Sequence, residues 1–83
     1  MKLDMTNPHH VNLRRLLAEL FSKHALSLQV GDFERATMFK HMVSGMARLC
    51  TEVLKDYYAS SACDHMFNHM NSVEFAESVR RAA

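Results

Sequence analysis

A run of apolar residues at alternating steps of three and four is the feature that most constrains how this chain can fold. The run extends from Ala36 to Tyr57 through Phe39, Val43, Met46, Cys50 and Val53. Steps of three and four keep side chains on one side of an α-helix, whereas a strand would show alternation of two. Polar residues fill the opposite side, so the pattern predicts an amphipathic helix over about residues 32–58.

A second amphipathic segment precedes this helix. Its leucines recur at the same spacing over residues 13–28, and Asn7-Pro8 supplies a cap and a first-turn proline. Gly31-Asp32 combines a residue suited to ending a helix with one that caps the next. The sequence therefore predicts a helix over about residues 8–29 and a hairpin turn at Gly31-Asp32. The stretch Ala25–Ala36 resembles the turn of a tetratricopeptide-type hairpin, which implies two helices joined at this turn.

The remainder of the chain is expected to pack across this hairpin in shorter pieces. Residues 59–61, Ala-Ser-Ser, weaken helix propensity and predict a bend, and Ser72 is suited to cap a last helix. Further helices are therefore expected over about residues 62–70 and 73–82. With 83 residues and few turn formers, the chain is expected to be one all-α domain over residues 1–83, a helical hairpin with a short C-terminal helical segment forming a small helical bundle.

Composition removes several classes of protein. The formal charge of +1 gives no basic field that would indicate nucleic acid or an anionic membrane surface as the partner. Two cysteines are too few for a disulfide framework, and no stretch approaches the roughly 20 apolar residues of a membrane span. We therefore expect a cytoplasmic protein that does not enter a membrane.

The sequence carries no motif of catalysis or cofactor binding. It has neither a Gly-rich phosphate loop nor a nucleophile elbow. Cys50 falls within the apolar run, where a thiol behaves as a small hydrophobe, and Cys63 lies among more polar residues, where it is the more reactive candidate. Neither belongs to a Cys-His catalytic pattern. A non-enzymatic protein without a cofactor is therefore predicted.

Histidines supply two candidate sites. His65 and His69 are four residues apart, so on a helix they share a face that suits a metal ion. Structural zinc normally needs four ligands, so exposed histidines are the favoured alternative. His24 falls on the apolar side of the first helix. A neutral, hydrogen-bonded core histidine is expected there, and a pH-sensitive contact is the alternative.

A short basic patch opens the first helix. His10, Arg14 and Arg15 lie where helix amino termini attract anions, so they form a candidate anion site. A solvated helix face is the alternative, because no aromatic residue is interleaved with the patch. In a dimer these arginines would meet a phosphate backbone, so a dimeric helical-hairpin nucleic-acid-binding regulator is the second functional hypothesis.

Apolar residues in excess of what the hairpin can bury are the interface candidates, and these are Phe39, Met42, Met46, Leu49, Met66 and Phe67. Methionine suits adaptable contact surfaces, although it also fills cores. A second copy commonly covers such surplus in a small domain, so a homodimer is expected. The leading hypothesis is a protein-binding adaptor or inhibitor, for example a phage or mobile-element accessory protein acting on a host or defence complex. A histidine-based metal- or ligand-responsive regulator is the third hypothesis.

Overall fold

The computed structural model describes residues 2–83, and over this range the chain folds into three helices and no strand. Helix α1 spans Pro8–Gln29, helix α2 spans Phe33–Glu52 and helix α3 spans Tyr57–Ala82. They pack side by side into a bundle with extents of 43 × 21 × 20 Å. The long dimension matches the roughly 39 Å expected for the 26 residues of α3 at 1.5 Å each. The predicted all-α helical bundle is confirmed.

Local capping residues fix the hairpin between α1 and α2. The Asn7 side chain accepts a hydrogen bond from the His9 amide at 2.9 Å, which satisfies one of the free amides that open α1. Gly31 ends the turn with φ of 79°, a left-handed conformation that suits glycine. Asp32 then caps α2 by accepting from the Arg35 amide at 3.1 Å. The predicted start of α1 and the predicted turn are confirmed.

Helix α2 ends at Glu52 rather than at residue 58, so its predicted end is wrong. The chain leaves the helix and passes through Lys55, which takes a left-handed φ of 53°. The side chain of Asp56 then caps α3 by accepting from the Ala59 amide at 3.1 Å. A capping aspartate therefore starts a new helix at a place where the apolar spacing indicated a continuing one.

The apolar run is buried only where it belongs to α2. Val43 is fully buried, Cys50 lies in the core, and Met46 packs against that core. Val53 and Tyr57 keep the same spacing but are 66% and 54% exposed, because α2 ends before them.

Helix α3 is unbroken through the bend predicted at residues 59–61 and the cap predicted at Ser72. Ser60 is buried, and its hydroxyl donates to the Ala47 carbonyl of α2 at 3.3 Å. The small serine side chain lets the two helices approach closely at this point. The Ser72 hydroxyl donates to the carbonyl one turn earlier at 3.2 Å, a bond that a serine makes inside a helix. The helices predicted over 62–70 and 73–82 are therefore one helix.

The core lies where the three helices meet, and its apolar members are Leu17, Leu20, Phe39, Val43, Ala47, Cys50, Ala59, Cys63 and Met70. Helix α3 covers one side of the α1–α2 pair and leaves the other side to solvent. None of the helices within residues 2–83 has both the length and the apolar content that a membrane crossing requires.

Candidate functional site

The side of the α1–α2 pair that α3 leaves uncovered contains an open groove of about 680 Å³. Leu16 of α1 and Leu49 of α2 line its walls, Met46 lies beside them, and Leu54 of the connector closes one end. Leu16, Leu49 and Leu54 are 41%, 51% and 61% exposed. The groove is therefore apolar and remains open to water in this chain.

The apolar surface continues along both helices beyond this groove. A second hollow of about 500 Å³ lies between the same helices near the hairpin turn, lined by Leu26, Val30 and Met38. Met42 is exposed and lies one turn from both Met38 and Met46, so it connects the two hollows along α2. We call this surface the α1–α2 face; its exposed apolar side chains are Leu16, Leu26, Val30, Met38, Met42, Leu49 and Leu54.

Charges are unevenly distributed along the α1–α2 face. Arg15 lines the groove at one end and Arg35 lines the hollow at the other. Among residues 2–83, neither guanidinium has a carboxylate within 4.0 Å. Between them, the Lys23 ammonium lies 4.0 Å from the Glu19 carboxylate, and such an exposed pair contributes little to stability. Arg15 shares the groove with the carboxylates of Glu19 and Asp56, and Arg35 shares the other hollow with Lys23 and Asp32, so both signs of charge border the apolar residues at each end.

His10 borders the groove and is buried, although it lies in the first turn of α1. Its Nε2 donates to Asp56 Oδ2 at 2.7 Å, and its Nδ1 accepts from the Asp4 amide at 2.9 Å. Hydrogen bonds from the Ala59 amide and from His10 lower the pKa of the Asp56 carboxyl. His10 therefore joins the amino-terminal segment, α1 and the start of α3, and both of its ring nitrogens are engaged.

A second polar cluster connects all three helices near the opposite end of the bundle. The fully buried His24 of α1 places Nε2 2.9 Å from Glu74 Oε1 of α3, and Lys40 of α2 donates to Glu74 Oε2 at 2.8 Å. Burial alone would raise the pKa of Glu74, but the hydrogen bonds from Lys40 and His24 lower it overall. His24 is buried as predicted and hydrogen-bonded through Nε2, whereas its buried Nδ1 has no hydrogen-bond partner within residues 2–83.

Three of the six predicted interface residues lie on the α1–α2 face. Met42 and Leu49 are about half exposed, and Met46 is partly buried beside Leu49. Their shared surface follows from the helical phase of α2, which turns these side chains away from α3. The structure thus brings together half of the residues that the sequence marked as surplus to the hairpin.

The other three predicted interface residues are packed between helices. Phe39 is buried in the core, and Met66 and Phe67 are partly buried against it. The Lys40 ammonium lies 5.9 Å from the centre of the Phe67 ring, a geometry that allows a cation–π interaction. Met66 and Phe67 are therefore outside the α1–α2 face, whereas Phe39, although buried, also lines the hollow near the hairpin turn.

The predicted anion patch is divided by the fold. His10 is buried and hydrogen-bonded on both sides, so it has no nitrogen free for an anion. Arg14 donates to the Met5 sulfur at 3.6 Å, whereas Arg15 lies at the edge of the groove. The three side chains therefore do not form one cationic surface.

The two histidines predicted to bind a metal are both exposed on α3. The His69 ring stacks on Phe21 with centroids 5.0 Å apart, which gives this histidine a packing role. Nowhere in residues 2–83 do three or more His, Cys, Asp or Glu side chains converge as they would around a metal ion. His65 and His69 thus stand as a pair without further ligands.

Both cysteines are free thiols in the core. Cys63 is fully buried, and that burial raises its pKa to about 12, while burial also raises the pKa of Cys50. The expectation that Cys63 is the more reactive thiol is wrong. Its sequence neighbour Asp64 is exposed, but the helical phase turns Cys63 itself towards α2.

The roles of several residues that define these sites were not predicted from the sequence. By its spacing Leu16 belongs with the core leucines of the first helix, because the apolar stripe is broad enough to include both the side that α3 covers and the open side. Asp56 carried a usable signal, since an aspartate three residues before an alanine-serine stretch is a good helix cap. Glu74 had no local signal, because its partners lie in distant helices.

Comparison with known proteins gives no relative: no family model matches the sequence, and no curated protein or solved structure is significantly similar to it.

Proposed function

We propose that the chain is a small non-enzymatic protein-binding module, an adaptor or inhibitor, that engages another protein through the α1–α2 face. The observation that carries this proposal is the row of exposed apolar side chains along α2, Met38, Met42 and Leu49, with Leu16 and Leu26 of α1 beside its two ends. Scattered surface leucines are ordinary, but a contiguous apolar surface beside a groove marks an interaction site. In a four-helix bundle a further helix covers a face of this kind.

The composition of the face supports the same proposal. Protein interfaces are enriched in methionine and arginine relative to the rest of the surface. Met38, Met42 and Met46 follow one another at one-turn intervals along α2, with Arg15 and Arg35 at the ends of the face. Flexible methionine side chains adapt to the shape of a docked partner.

The polar clusters support binding rather than catalysis as the proposed activity. His10 and His24 are the two histidines that contact carboxylates. Contacts inside the bundle orient both of them, so these pairs have a structural role. The buried thiol of Cys63 is kept protonated by its raised pKa. We propose a reducing compartment such as the cytoplasm, which the two free cysteines support.

A retention experiment with matched variants tests the proposal. Leu49→Lys places a charge on the α1–α2 face, and Phe75→Lys places one at a 73%-exposed position on α3. Both sites are exposed, so we expect both variants to keep the helical circular dichroism and unfolding midpoint of the parent chain. Each immobilised chain is then incubated with extract of the native cell, and retained proteins are quantified.

We expect Leu49→Lys to lose a retained protein that the parent chain and Phe75→Lys both keep. Equal retention by all three chains would contradict the proposal, because the charge on the α1–α2 face would then be irrelevant to binding. Selective loss with Phe75→Lys would move the docking site to α3.

A further inference from the structure

We propose that a hollow between the amino-terminal segment and α3 binds the phosphate group of a small organic phosphate. The hollow has a volume of about 540 Å³ and is lined by Lys2, Ser61, Ala62, His65, Met66 and His69. None of these residues belongs to the α1–α2 face. The proposal is therefore independent of the protein-binding function, and either one can fail without the other.

The polar groups that line this hollow are hydrogen-bond donors or cations. The Lys2 ammonium offers three donors, the Ser61 hydroxyl offers one, and each of the two imidazoles offers at least one. Within residues 2–83 the lining includes no aspartate or glutamate. The groove of the α1–α2 face differs in this respect, because Glu19 and Asp56 both line it. A concave surface with converging donors and no carboxylate favours an anion as its ligand.

The carboxylates nearest in sequence are directed elsewhere. Asp64 lies one residue before a lining histidine, but it borders a different hollow, between α2 and α3. Asp4 lies two residues after Lys2, but its Oδ1 accepts from the Thr6 amide at 2.9 Å and from the Thr6 hydroxyl at 2.6 Å. In the described part of the chain, no carboxylate lies within 4.0 Å of the Lys2 ammonium or of either lining imidazole. The donors are therefore available to a ligand.

The bundle positions several of these donors before any ligand arrives. His65 and His69 lie one turn apart on α3, so both project from the same side of the helix. The His69 ring stacks on Phe21 with centroids 5.0 Å apart and planes inclined by 22°, which leaves the nitrogens at the ring edge open. The Asp4 amide donates to His10 Nδ1 at 2.9 Å and so anchors the segment that carries the lysine. Such preorganisation reduces the entropy lost on binding.

The shape and lining of the hollow favour a phosphate group with an organic part. A phosphate group presents three acceptor oxygens and carries up to two negative charges, so it can accept from donors that converge from several directions. A carboxylate has only two oxygens, which lie in one plane. Ala62 and Met66 add apolar surface that an inorganic ion would leave unused. The volume is within the range of about 300 to 1,000 Å³ that is typical of small-molecule sites.

Titration of the histidine signals with phenyl phosphate tests the proposal. The chain is labelled with carbon-13 in its imidazoles, and nuclear magnetic resonance spectra are recorded at pH 7 and constant ionic strength. We expect saturable shifts of the His65 and His69 signals with a Kd of about 1 mM or lower. Inorganic phosphate should bind the same site at least about threefold more weakly, and phenol, which lacks the phosphate group, should cause no such shifts.

Matched variants separate the site from the net charge of the chain. Lys2→Gln should weaken phenyl phosphate binding at least about fivefold, and Lys2→Arg should largely preserve it. Lys23→Gln removes one exposed lysine from α1 and should leave binding unchanged. His65→Gln should weaken binding, whereas His41→Gln, at an exposed histidine of α2, should not. Circular dichroism of each variant checks that the helices are intact.

The pH dependence supplies a readout that is specific to the imidazoles. Sulfate is the probe, because its charge is constant between pH 6 and pH 8. Histidine is the side chain that ordinarily gains its proton over this range, and Lys2 stays charged throughout it. We therefore expect sulfate to bind at least about threefold more tightly at pH 6, and His65→Gln to reduce this gain.

Three results would overturn the proposal. One is the absence of any saturable shift at up to about 20 mM phenyl phosphate. Another is an equal loss of affinity in Lys2→Gln and Lys23→Gln, which would show general attraction to a cation rather than a site. The third is a selective response of His65 and His69 to zinc chloride without any response to phosphate, which would assign the pair to a metal ion. Equal affinity for inorganic phosphate and phenyl phosphate would refute the organic part of the ligand.

Discussion

Truncating Met70 should show how much the packing of α3 against the other two helices contributes to the free energy of unfolding. Met70 is fully buried, so Met70→Ala removes three heavy atoms that have no access to water. At about 0.8 kcal/mol per methylene equivalent the lost transfer free energy is about 2.4 kcal/mol. The cavity left behind adds to this, which gives a total within the 2 to 5 kcal/mol observed for such core truncations, or about 3 to 4 kcal/mol.

That loss is large for a chain of this size. A chain of 83 residues is expected to have a free energy of unfolding of about 4 to 12 kcal/mol. With a urea dependence of about 1 kcal/mol per molar, Met70→Ala should lower the unfolding midpoint by about 3 to 4 M. The measurement is urea denaturation followed by circular dichroism at 222 nm, the usual helix signal, with the slope compared between variants.

Met42 offers a matched control, because it is the same residue type in a helix but 47% exposed. Met42→Ala removes the same atoms and makes the same change in helix propensity, so the two variants differ mainly in burial. We expect Met42→Ala to cost about 1 kcal/mol or less. Equal midpoint shifts in the two variants would refute the packing of α3 described above, since they would place both methionines in similar surroundings.

Four further predictions have defined expected outcomes. Glu74→Gln should lower the free energy of unfolding at pH 7 by about 1 to 3 kcal/mol. The parent chain should lose this advantage as the pH falls below the ordinary glutamate value of 4.5 and through the lowered pKa of the folded state, so equal acid profiles would refute it. Gly45→Ala should stabilise the chain by about 0.5 to 1 kcal/mol in thermal unfolding, because an added Cβ meets no atom within 4 Å. Gly31→Ala should destabilise the chain, because the turn holds this residue at a φ of 79°. Cys63 should resist a thiol reagent at pH 8 until the chain unfolds, and rapid labelling under native conditions would contradict its burial. A homodimer through the α1–α2 face should sediment as a monomer after Leu49→Lys, and a dimer that survives this change would use another surface.

The parts of the fold that local interactions decide were accessible from the sequence. Asn7 and Asp32 cap their helices by accepting hydrogen bonds from amides two or three residues away. Neighbouring residues in the sequence therefore determine the start of α1 and the hairpin turn. The burial of Val43 follows from the helical period in the same way. The all-α architecture is therefore predictable without knowledge of how the helices pack.

The parts that depend on contacts between helices were not accessible. The apolar spacing continues through Val53 and Tyr57, although α2 ends at Glu52 and α3 begins at Tyr57. Apolar spacing alone does not show that the polar residue Asp56 caps a new helix. Ser60 lowers helix propensity in isolation, but its hydroxyl is buried against α2 and its size permits close packing there. The phase of Leu16 places it on the stripe with Leu17, and only the position of α3 decides which of the two is covered.

The two histidine–carboxylate pairs also favour one handedness of the bundle. Three amphipathic helices joined by short turns have two mirror-related topologies, in which the third helix packs on opposite sides of the first two, and apolar stripes alone discriminate poorly between them. In this chain His10 reaches Asp56, and His24 reaches Glu74, on one side only. In the mirror topology these imidazoles would lose their carboxylate partners, and a buried polar group without a partner is costly. The histidine–carboxylate pairs thereby favour the arrangement in which α3 covers one side of the α1–α2 pair and the opposite side stays open to solvent.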